Sequence, residues 1–183
     1  MCTIEPRQSI KERVISAMQG VGNLTEAVLN AVSDSISTTL RSTRDVAVEF
    51  SDLVVETVFG AIDGAAEVGG SIADATKASV IGVLRGTRDA DISALDAISD
   101  AASAAVHRAS DVGADVADAT RGAVEGAIEG GREFGLDTAE AASAAARGAS
   151  DAAAKIGTSA VEEVKAVTQT LTNDGTDSRP DAR

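Results

Sequence analysis

The chain has 183 residues, a formal net charge of −13 and only 2% aromatics, with three Phe and neither Trp nor Tyr. That charge gives nucleic-acid phosphates no surplus of Lys and Arg to meet, and it works against attraction to an anionic membrane surface. The 44% apolar share is mostly Ala and Val, which bury little area each at about 25 cal/mol per Å², so many repeated helix contacts suit the chain better than a ring-filled compact core.

In chain order, residues 1–8 read as a disordered N-terminus containing the single cysteine, Cys2. One cysteine makes no intrachain disulfide, and no neighbouring group activates its thiol. The first 25 residues lack the apolar segment of a secretory signal, and no uncharged apolar run reaches the roughly 18 residues of a spanning helix. The expected setting is the cytoplasm, with no transmembrane segment.

Residues 9–173 are expected to form one repeat-built helical region. Pro6 stands just before it, and Ser9-x-x-Glu12 has the spacing of a capping box. An 11-residue repeat runs from about Ile10 to about Leu171. Written in rows of eleven from Val14, VFGAIDGAAEV (58–68) is followed by GGSIADATKAS (69–79) and VIGVLRGTRDA (80–90), and GADVADATRGA (113–123) by VEGAIEGGREF (124–134). The phase reaches Val167 without insertion or deletion. In columns 1, 4, 5, 8 and 11 the only charged residue is Asp91, whereas column 6 is polar in every row, from Gln19 through Asp63, Arg85 and His107 to Glu162. One dry face and one wet face define an amphipathic helix.

Eleven residues over three turns is about 3.67 per turn, which predicts an all-α fold: a very long amphipathic helix in a right-handed hendecad coiled coil. Unbroken, such a helix of about 160 residues would be about 240 Å long. The alternative is a folded-back helical bundle broken near the paired glycines Gly69-Gly70 and Gly130-Gly131. Neither pair shifts the repeat phase, which favours continuity. Asn173 and Gly175 fit a C-terminal stop, and 174–183 reads as a disordered tail.

The glycines recur in phase. Gly60-Gly64, Gly82-Gly86 and Gly126-Gly130 occupy columns 3 and 7 of alternate rows, and Gly69, Gly113, Gly135 and Gly157 occupy column 1 of the rows between, which makes a 22-residue higher repeat. Glycine costs a helix near 1 kcal/mol per site, and small-xxx-small spacing lets backbones approach closely, so a second contact stripe beside the dry face is expected. Surface pairs are expected at i, i+3: Asp74 with Lys77, Asp118 with Arg121, Glu129 with Arg132, Glu162 with Lys165. Asp91 either sets register between helices or marks a local turn toward solvent.

No catalytic, cofactor-binding or metal residue is assigned, and no cofactor is expected. His107 is the single histidine and cannot build a His/Cys cluster with a distant cysteine. No phosphate loop, nucleophile elbow or zinc-protease motif occurs, so the chain is not read as an enzyme.

The segments GAIDGAAEVGGSIADATKA and GADVADATRGAVEGAIEGGREFG resemble hendecad-repeat coiled-coil proteins of the Ala/Gly/Val-rich bacterial type, and more loosely the 11-residue-repeat late embryogenesis abundant (LEA) proteins and the synucleins. The expected role is a structural or interaction protein that self-assembles through long hendecad helices, its partner being itself. The alternative is a conditional amphipathic helix on lipid or granule surfaces, or a LEA-like stress protectant.

Overall fold

The computed structural model describes residues 6–21, 23–42, 46–90 and 92–174. Among them lie eight helices and no strand: α1 (Pro6–Val21), α2 (Leu24–Ser42), α3 (Val46–Glu67), α4 (Ile72–Gly86), α5 (Ala94–Asp111), α6 (Val116–Phe134), α7 (Thr138–Ile156) and α8 (Thr158–Asp174). The all-helical expectation holds. The single very long helix does not: the longest helix has 22 residues, about 33 Å at 1.5 Å per residue. A turn does occur at Gly69-Gly70, but Gly130-Gly131 lies inside α6.

Undisturbed phase misled the sequence reading because the structural unit is itself two rows long. Helices α4 to α7 begin at residues 72, 94, 116 and 138, a spacing of 22. In this stretch a helix and its turn together use up one 22-residue unit, so each of these turns returns the chain to the same column. The chain can therefore reverse direction repeatedly without any phase jump.

The turns are built from the column 1 glycines and a polar residue two positions later. Gly69, Gly113 and Gly135 have φ of 66°, 72° and 71°, the left-handed conformation that ends a helix and that side chains with a Cβ resist. At the α6–α7 turn the Leu136 N–H donates to the Gly131 carbonyl at 2.8 Å, and Gly70 and Ala114 donate likewise to Ala65 and Ala109. These are the six-to-one bonds of a Schellman end. The next helix then starts on an N-cap: Ser71, Ser93, Asp115 and Asp137 accept from backbone N–H groups of α4, α5, α6 and α7. Asp137 Oδ1 takes two, from Ala139 at 2.8 Å and Glu140 at 3.1 Å. The column 1 glycines are thus helix terminators, not part of a contact stripe.

At the N-terminal end the expectation also shifts. Helix α1 begins at Pro6, where a missing N–H costs nothing, so Ser9 and Glu12 lie within the helix instead of capping it. Residues 1–5 and 175–183, with Cys2 and Gly175, lie outside the described residues, as does Asp91. Asp91 stands between α4 and α5 at the column where four other turns place glycine.

Each helix packs on the next and on the next but one, which arranges the chain as two rows, α1-α3-α5-α7 and α2-α4-α6-α8. Helices within a row run parallel: Gly122 of α6 meets Ala73 of α4, Gly126 meets Lys77 and Val80, and Gly130 meets Leu84. The dry columns fill the space between rows. Val14, Val32, Val54, Ile62, Val80, Ile98, Ala109 and Ala127 are buried. The core also takes in column 7, where Ala75, Ala97, Ala119, Ala141 and Ala152 are buried.

The column 3 and 7 glycines make those row contacts. A Cβ at Gly82 would stand 2.9 Å from Val32, and one at Gly86 2.7 Å from Ile36. At Gly148 it would fall on the Ser99 carbonyl oxygen, with the Ser99 carbonyl carbon at 2.8 Å. The expected second contact stripe exists, and its partner is another helix of the same chain.

Candidate functional site

Column 6 stays on the outside, as its polarity requires. Repeat positions 44 residues apart fall on neighbouring helices of one row, Arg41, Arg85 and Glu129 on α2, α4 and α6, and Asp63, His107 and Asp151 on α3, α5 and α7. This spacing builds the charged surface.

On the even row, Arg85 forms a two-pronged pair with Glu133 of α6, Nε donating at 2.9 Å and Nη2 at 2.8 Å. The hydrogen bond to Glu133 holds the Arg85 pKa above its ordinary value against partial desolvation. Lys77 reaches Glu129 at 2.6 Å, and that hydrogen bond raises the lysine pKa more than burial lowers it. Lys77 and Glu129 had been expected to pair within their own helices, with Asp74 and Arg132; they pair between helices instead. Asp118 and Arg121 do pair within α6, at 3.4 Å. Lys11 bridges to Glu67 in the odd row.

A cleft of about 580 Å³ opens between the C-terminal ends of α2 and α4 and the turn after α4. Arg41, Arg85 and Arg88 line it together with Ser33, Ser37 and Asp89. Arg88 lies over the Phe134 ring, 5.6 Å from its centre. Arg41 is only loosely paired with Asp89, at 3.7 Å with both side chains more than three-quarters exposed.

On the odd row, His107 and Phe59 stack nearly parallel, 4° apart with centres at 6.1 Å. Arg108 sits 5.5 Å from the Phe59 centre and donates from Nε to Asp63 at 2.6 Å. A shallow cavity of about 290 Å³ is lined here by Phe59, His107, Asp100 and Lys155. His107 Nδ1 is 3.5 Å from Asp111, too long for an orienting hydrogen bond. The arrangement pairs an aromatic face with mixed charge, and it sets no base against a nucleophile. Among the described residues no three His, Cys, Asp or Glu side chains come together as a metal site.

The sequence reading placed His107 on the wet face correctly and missed both the Phe59 stack and the arginine cleft. The signal for the cleft was present: Arg41 and Arg85 share column 6 at a 44-residue spacing. It had no meaning while the chain was read as one rod, because 44 residues along a continuous helix is about 66 Å.

No described helix is long and apolar enough to cross a membrane. Compared with known proteins, the chain matches no family model, no curated protein and no solved structure.

Proposed function

We propose that this chain is a non-catalytic structural and interaction protein of the cytoplasm: a short helical-repeat scaffold that meets its partners, a second copy of itself first among them, through exposed helix faces. The observation that carries the reading is that most large aliphatic side chains of the dry columns are covered by other helices of the same chain while the outward columns are charged. In repeat stacks each unit contacts only near neighbours, and the same packing rule operates at every step. Association of copies is expected through the exposed helix faces of the stack. The long continuous coil foreseen from the sequence has no part in this reading.

Light scattering with circular dichroism over a dilution series tests it. Scaffold behaviour predicts full helicity at low micromolar concentration, because the apolar surface is covered intramolecularly. Self-association predicts a rise in mass with concentration at constant helicity. Helicity that falls on dilution would overturn the intramolecular scaffold, and a constant monomer mass up to millimolar concentration would remove the second copy as a partner.

A second reading is supported by one feature. Because every turn preserves the 11-residue phase, adjacent helices that fuse across a turn would carry one continuous apolar stripe, suited to lying on a lipid or granule surface or to protection on drying, as in LEA-like chains. It predicts that neutral-lipid vesicles lower thermal stability of the stack while preserving or raising helicity. Unchanged spectra and melting with vesicles would exclude it.

A further inference from the structure

We propose that the cleft formed by Arg41, Arg85 and Arg88 is a binding site for a phosphate-bearing anion. Its volume of about 580 Å³ falls in the range of small-ligand sites. The chain carries only 16 basic residues against 29 acidic ones, yet three arginines line this one cleft. Two are accounted for by folding: Arg41 and Arg85 stand in the last turns of α2 and α4, where positive charge offsets the negative end of the helix dipole. Arg88 lies beyond the end of α4 and has no such duty.

The way each arginine is held leaves capacity for an anion. Arg88 is held over the Phe134 ring, its Cζ 5.6 Å from the ring centre, a contact that consumes none of its N–H donors. Arg85 uses Nε and Nη2 on Glu133, so Nη1 keeps its donors and the side chain is immobilised. Arg41 and Asp89 form an exposed pair at 3.7 Å, worth little and displaceable by a dianion. The Ser33 and Ser37 side chains also line the cleft and add hydroxyl donors. Planar guanidinium forks match the spacing of phosphate oxygens better than a lone ammonium does, which points to phosphate ahead of a simple halide. The phosphate could belong to a free small molecule or to a monoester lipid headgroup.

The test is titration of the full chain with inorganic pyrophosphate, followed by amide chemical shifts, beside co-sedimentation with phosphatidylcholine vesicles containing or lacking phosphatidic acid. Binding predicts saturable shifts confined to Ser37, Gly86 and Ala90. Arg88→Gln should weaken binding at least tenfold, Arg88→Lys should restore part of it, and Arg121→Gln, outside the cleft, should leave it unchanged. Phe134→Leu should weaken it several-fold without changing charge, and circular dichroism of each variant checks folding. Saturable pyrophosphate binding without sedimentation assigns a free phosphate compound. Sedimentation that needs phosphatidic acid and is competed by pyrophosphate assigns the headgroup. Absence of saturable binding in both arms, or Arg88→Gln binding as tightly as the parent chain, overturns the proposal.

Discussion

Gly148→Ala is the sharpest test of the two-row packing. Viewed along its own helix, Gly148 is a defect in α7, and alanine there should stabilise by near 1 kcal/mol. Packing predicts the reverse. The added Cβ would land on the Ser99 backbone of α5, with the carbonyl oxygen, the carbonyl carbon at 2.8 Å and Cα at 3.0 Å all in the way. None of these atoms can rotate aside, so α5 and α7 must separate by on the order of 1 Å, and close contacts along the pair weaken together. The side of α7 that faces inward is alanine throughout, at 141, 142, 144, 145, 149, 152 and 153, so no flexible side chain absorbs the strain. Overpacking costs about 1–3 kcal/mol. Because the clash is with backbone, the cost lies at the upper end of that range; with near 1 kcal/mol of propensity gain subtracted, the variant should lose about 2 kcal/mol, or about 4–8 °C in Tm for a chain of this size. Urea unfolding followed by circular dichroism measures it. Gly131→Ala is the internal comparison: its Cβ would stand 3.2 Å from the Ala141 methyl and in ordinary contact with Leu136 Cβ at 3.8 Å and Thr138 Cα at 4.0 Å, so its change should stay near zero. If Gly148→Ala proves as stable as the parent or more so, helices α5 and α7 do not approach as described.

Asp137→Ala removes the acceptor for two α7 N–H groups and should cost about 1 kcal/mol in urea unfolding, with no loss if the α6–α7 turn is absent. Gly135→Ala forces a Cβ into φ 71° and should cost about 1–2 kcal/mol; a gain would mean that α6 and α7 run on as one helix. Arg108→Gln leaves Asp63, whose side chain is 12% exposed, without its 2.6 Å partner, and should lower the thermal midpoint by a few degrees. The raised Lys77 pKa has a definite sign: the stabilisation is fully present below the unfolded-state value of 10.5 and is lost as pH rises through the folded value. The parent chain should therefore lose more stability between pH 9 and pH 12 than Lys77→Met does, and equal losses would show that the Glu129 pair contributes nothing.

Helix content was legible because charge exclusion from five columns survives any arrangement of the helices: a residue that must avoid water does so whether its cover comes from another chain or from its own. The polar column 6 was legible for the same reason. The small-residue stripe was visible too, in Gly82, Gly86, Gly126 and Gly130, though its partner was not. What could not be read was which break signals act. Gly130-Gly131 pairs two glycines yet stays helical within α6, while the unpaired Gly113 and Gly135 end their helices. The deciding context is the cap two residues later, Asp115 or Asp137, which supplies the start of the following helix.

By itself the sequence determined that the chain is helical, the wet and dry sides, and a 22-residue unit, since these follow from local propensity and from the period at which apolar groups recur. Tertiary structure alone decided that the unit is a helix and a turn instead of six turns of rod, and so which side chains meet: Lys77 with Glu129, Arg85 with Glu133, Phe59 with His107. The physical reason is that a repeat equal to two 11-residue rows has the same phase straight or folded. Only the gain from burying the dry columns against helices of the same chain, set against the cost of each reversal, distinguishes the two.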